Sequence, residues 1–66
     1  MGSAASISAI ESVMKLIPDT TPHPRLTYLR EHYADKRSRA IQALPPWYRA
    51  AMIRRIDALL NTDQAA

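Results

Sequence analysis

Any chemistry in this chain has to come from two histidines, five serines and a handful of acids, because it contains no cysteine. His23 sits between Pro22 and Pro24, where it reads as a turn residue, and His32 follows nine positions later with no carboxylate spaced to complete a metal site with it. Ser3, Ser6, Ser8, Ser12 and Ser38 have no positioned base beside them, and a hydroxyl without one is a weak nucleophile. Asp19, Asp57 and Asp63 are expected in loops or on outer helix faces. The sequence therefore predicts no catalytic residue, no cofactor and no metal, and the chain reads as a non-enzyme.

Binding chemistry is better represented. In ALPPWYRAAMIRRIDALL, Ala43 to Leu60, two prolines lead into an amphipathic run headed by Trp47 and Tyr48 and carrying Arg49, Arg54 and Arg55. At about 100° per residue, Trp47 falls opposite the apolar stripe of Tyr48, Met52, Ile56 and Leu59. Its neighbours on that second face are Ala51, Arg54 and Ala58, with Arg55 at the edge. Small alanines admit another backbone, and Trp and Arg are enriched where partners bind most tightly. Two readings follow: Trp47 anchors a protein interface, or it caps this chain's own core at the helix turn. The candidate partner contacts are Trp47, Arg54, Arg55, Tyr28, Arg37 and Arg39.

Charge points to an acidic partner. The net charge is +3, and between Arg25 and Arg55 eight Lys/Arg face only Glu31 and Asp35, a local +6. Arg25, Arg30, Lys36, Arg37 and Arg39 could grip nucleic acid or an acidic protein face, or simply solvate a helix. A helix-turn-helix usually has a tight turn and a polar recognition face, whereas here Pro45-Pro46 forms the turn and Trp and alanines share the face with arginine. No apolar run reaches the ~18 residues of a membrane span, so membrane insertion is not expected. No signal peptide is visible, and a cytoplasmic location is expected. Residues 1–5, with "MGS" at the start, read as flexible or tag-derived.

Three helices are expected to position these residues. The first, in SISAIESVMKLIP, sets Ile7, Ile10, Met14 and Ile17 along one stripe with Val13 beside them, with Ser6 or the competing Ser3 as N-cap and Pro18 as stop. Pro18 to Pro24 forms a stiff linker. The second helix is expected from Pro24 to Leu44, with Lys36 and Arg37 interrupting its stripe; they either snorkel over the core or face acids supplied by a partner. The third runs from Pro46 to Leu60, and 61–66 is a frayed polar tail. The residues assigned to the core or to a dimer seam are Leu26, Leu29, Tyr33, Ile41, Leu44, Met52, Ile56 and Leu59. The class is all-α, a short N-terminal helix plus an antiparallel two-helix hairpin. A chain of 66 residues has little core of its own, which favours a homodimeric helical bundle.

In overall character, His23 to Leu60, HPRLTYLREHYADKRSRAIQALPPWYRAAMIRRIDALL, resembles the very small helical proteins that bacteriophages express early to disable host proteins. Among these it looks like a quorum-sensing anti-activator, which inhibits a host transcriptional regulator of the LuxR class. The resemblance implies a host transcription factor as partner and inhibition by occlusion, in the cytoplasm of a bacterial host. It assigns no residue by position. The alternative is a small basic DNA-binding regulator.

Overall fold

The computed structural model describes residues 6–65, with side chains described as far as Thr62. Residues 1–5, expected as flexible or tag-derived, lie outside the described residues. The described chain is helical, with no strand. It forms α1 (Ile7–Met14), α2 (His23–Ala34), α3 (Arg39–Gln42) and α4 (Pro46–Ala65).

Local chemistry accounts for each boundary. Ser6 caps α1: its backbone is extended and its hydroxyl accepts from the Ala9 N–H at 3.1 Å. The helix tightens at its end, where Leu16 N–H donates to the Val13 carbonyl and Ile17 N–H to that of Met14. Regular helix thus stops at Met14, and Ile17 reaches the core from the turn that follows. A second turn is held by Thr21, whose N–H and hydroxyl both donate to the Pro18 carbonyl. Pro24 lies in the first turn of α2, where its missing N–H removes no helical bond.

The expected continuous helix from Pro24 to Leu44 is instead two helices. At Asp35 the backbone turns extended, with ψ at 108°, and its carboxylate accepts from the Arg37 N–H at 2.8 Å. A short side chain that bonds its own backbone two residues on competes directly with the helix. Ser38 then caps α3, accepting from the Ile41 N–H at 3.3 Å. Gln42 closes the corner by donating from its amide to the Asp35 carbonyl at 3.2 Å. Lys36 and Arg37 therefore do not snorkel along a helix; they occupy the exposed corner between two helices.

α4 starts where the Pro45 carbonyl accepts from the N–H groups of Tyr48 and Arg49. It continues past Leu60 to Ala65, so residues 61–65 of the segment expected as a frayed tail are helical. This helix is the spine, packing against both α1 and α2. Its pairings with α2 run in opposite order along the two helices: Leu26 shares a cleft with Leu59, Arg30 meets Asp57, and Tyr33 shares one with Ile53.

The core is small. Ile17, Leu26, Met52 and Ile56 form the buried cluster, with Val13, Leu29, Tyr33, Tyr48, Leu59 and Leu60 packed partly buried around it. Ile41 and Ala51 are buried elsewhere, and Leu44 is half-buried. Among the described residues Ile56 alone has no exposed surface. Ile56→Ala should therefore lower stability by about 3 kcal/mol, within the range for a deleted core aliphatic. Ile7→Ala, at a position 76% exposed, should change it by less than ~0.5 kcal/mol. Urea titrations followed by circular dichroism measure both, and equal losses would remove Ile56 from the centre of the fold.

Candidate binding surfaces

The structure sorts the basic residues into those engaged internally and those left free. Arg55 is half-buried, and its Nε donates to the Ile17 carbonyl at 3.1 Å. It thereby ties the turn after α1 to the spine. Arg30, expected among the free cations of the second helix, pairs with Asp57 at 2.8 Å. Asp57, expected in a loop or on an outer helix face, is the acid that meets it between α2 and α4. With both side chains over a third exposed, such a pair contributes about 0.2–1 kcal/mol.

Trp47 lies at the seam of α1 and α4. It is half-buried, edge-on to Tyr48 at 5.8 Å, and forms one wall of a depression of about 160 Å³. Ile10, Ala50, Ala51 and Arg54 complete that depression. The second face of the spine helix is therefore shared with α1 of the same chain. Ala51, 5% exposed, is one of the small residues that permit the approach. Arg54 and Ala50 remain exposed beside the Trp47 ring.

Tyr28 lies on a different face. Its side chain is 57% exposed, stacked on His32 at 6.1 Å, with the Arg25 guanidinium 5.3 Å from the ring centre. His32 in turn meets the edge of Tyr33 at 5.2 Å. The spacing of three and four residues on α2 puts these groups in a row. Arg37 and Arg39 are exposed at the α2–α3 corner with Lys36. The six candidate contacts thus occupy separate places: Trp47 with Arg54 at the seam, Tyr28 on α2, Arg37 with Arg39 at the corner, and Arg55 turned inward.

Residues missed by sequence reasoning also reach the surface. Ile7 and Leu16 are 76% and 62% exposed, although an amphipathic stripe would bury at least the first. Arg49 and Gln42 form a polar contact between α4 and α3 that no sequence spacing announces. Among the described residues no three His, Cys, Asp or Glu side chains gather as metal ligands. No described helix is long and apolar enough to cross a membrane.

No family model, no curated protein and no solved structure matches this chain. The reading of its surfaces rests on its own geometry.

Burial pushes the Tyr33 phenol above its ordinary value; Tyr48 adds to the rise and Arg25 opposes it. The folded chain therefore holds this proton more tightly than the unfolded chain. The associated stability is complete below the unfolded value of about 10 and is lost as pH rises through the higher folded value. Thermal melts at about pH 9 and pH 11 should show a larger loss for the wild type than for Tyr33→Phe. An equal loss in both would clear Tyr33 of the effect.

Proposed function

We propose that the protein is a small non-enzymatic binding module that inhibits or modulates a partner protein by covering a surface the partner needs. The observation that carries this reading is the α1–α4 seam, where Trp47 stands half-open between Ile10 and the exposed Arg54 over a floor of alanines. A rigid aromatic with an adjacent guanidinium beside a shallow apolar depression is the arrangement that dominates binding energy in protein interfaces. Ile7, one turn earlier on α1, extends the apolar surface. The family resemblance supplies the narrower version: a phage protein acting in a bacterial cytoplasm on a host transcription factor, a LuxR-type quorum-sensing activator being the instance. A homodimer belongs to the same reading, since exposed Ile7 and Leu16 would gain from burial against a second copy.

The second reading, a DNA-binding regulator, is favoured by the exposed Lys36, Arg37 and Arg39. It is weakened by the position of α4. A recognition helix must project into a groove, whereas α4 is flanked by α1 and α2 and has Arg55 turned toward the Ile17 carbonyl.

Salt separates the two. Immobilised protein, exposed to bacterial lysate with nuclease and eluted with rising salt, should retain a discrete protein identified by mass spectrometry. Trp47→Ala should lose that protein while keeping its helical circular dichroism, and the exposed Arg54→Glu should weaken retention without touching the core. Retention of nucleic acid alone, falling log-linearly with salt, would replace the inhibitor reading by DNA binding. Sedimentation of the isolated protein as a monomer at all concentrations would remove the dimer.

A further inference from the structure

We propose that the cleft between the end of α2, α3 and the first turns of α4 is a carboxylate-binding site that receives an acidic side chain from a protein partner. The cleft has a volume of about 390 Å³. Lys36, Gln42 and Arg49 supply its polar groups, and Tyr33, Ala34 and Ile53 supply its walls. This assignment rests on the reading of the protein as a protein-binding module and names the chemistry of one contact within it.

Arg49 is the cation a ligand would meet, through those of its N–H groups that face the cleft, since its Nε is closed to water and so to a ligand. Its side chain is half-buried and its Nε is shut off from water without any hydrogen-bond acceptor. The one hydrogen bond of the guanidinium is long, from Nη1 to the Gln42 Oε1 at 3.4 Å. A guanidinium carries five N–H donors in a fixed fork, and taking part of it out of water without an acceptor is unfavourable. Elsewhere in the molecule the Nε of an arginine packed between elements has a closer oxygen: Arg30 Nε donates to Asp57 at 2.8 Å, and Arg55 Nε to the Ile17 carbonyl at 3.1 Å. Arg49 has only the weak amide contact.

No carboxylate among the described residues lines the cleft. Asp35, adjacent to Lys36 in sequence, has its Oδ1 occupied by the Arg37 N–H at 2.8 Å. Among the described residues, Lys36 and Arg49 form no ion pair. The site is also held in place. Arg49 projects from the spine helix, and Gln42 is braced because its Nε2 donates to the Asp35 carbonyl. That bond leaves Oε1 for Arg49, so the amide orients the guanidinium.

The walls decide what kind of anion fits. Ile53 and Ala34 offer apolar contact to the methylene stem of a glutamate, while the guanidinium fork suits the two carboxylate oxygens. A phosphodiester would meet the same fork but would leave the apolar walls uncovered. Arg37 and Arg39, exposed on the neighbouring corner, add positive potential that draws an acidic segment in.

The test uses a short blocked peptide containing one glutamate beside a leucine, its glutamine counterpart, and a short DNA duplex. Each is titrated into the protein while the arginine Nε–Hε signals are followed by ¹⁵N NMR. The glutamate peptide should shift the Arg49 signal saturably, and the glutamine peptide should not. Arg49→Gln should abolish the response at neighbouring amides with the rest of the spectrum unchanged. The exposed Lys36→Gln should weaken binding by about two- to fivefold, the weight of a solvated ion pair. Equal responses to both peptides, or none to either, would overturn the site. A tighter, steeply salt-dependent response to the duplex would overturn its assignment to an acidic protein. The broader reading is tested separately with the partner retained from lysate. If Arg49→Gln retains that partner as well as wild type does, the cleft is wrong while the inhibitor reading stands. If wild type retains no protein, that reading falls, and the peptide titration alone decides the cleft.

Discussion

One helix has to satisfy two others in a chain too short to bury much of anything. α4 packs against α1 and α2 at once, and the side chain at the meeting point is Ile56, the one core residue with no exposed surface. Against it stand Leu26 from α2 and Ile17 from the turn after α1. The placement of Ile17 matters: it lies beyond the last helical residue, so α1 must end where it does for the core to close. Principal extents of 42 × 29 × 15 Å show how little depth is available, since helix axes pack about 8–10 Å apart. The thinnest direction is about two helices deep, and every helix keeps a face in water.

With so small a core, polar clasps carry an unusual share of the specificity. Arg55 draws the α1 turn onto the spine through a backbone carbonyl, and Arg30 meets Asp57 across the α2–α4 contact. Asp35, Ser38 and Gln42 together build the α2–α3 corner from three local hydrogen bonds. None is strong alone, since each is at least partly open to water. Their role is to exclude alternatives: the corner stops α2 from running on through Lys36 and Arg37, which would extend two cations along the packed side.

The helical class, the ends of α1 and α4 at Ser6 and Pro46, and the apolar residues that face the spine were legible in the sequence, because caps, prolines and periodicity act locally. The break after Ala34 was also written there, in Asp35 and Ser38, but a periodic stripe from Leu26 to Leu44 masked it. The two cations interrupting that stripe were the signal of a corner. What could not be read were the pairings between distant segments. Nothing in the spacing says that Arg30 will meet Asp57, that Arg55 will turn to a carbonyl 38 positions earlier, or that Arg49 will find only an amide. The surface candidates suffered accordingly: Trp47 and Arg54 do meet at one seam, but Tyr28, Arg37 and Arg39 belong to other faces.

This division of the arginines shapes how a partner could be held. Trp47 and Arg49 are two residues apart, about 200° around the helix, so the seam and the cleft flank the same turns of α4 from opposite sides. A partner that used both would have to wrap the N-terminal half of the spine rather than press on one face. The two ends of such a grip would do different work. The cations of the corner raise the rate of encounter with an acidic segment and lose influence in salt. An aromatic in an apolar depression instead slows departure and is indifferent to ionic strength. Inhibition by occlusion needs the second property more than the first, because a blocker that leaves quickly leaves its target free.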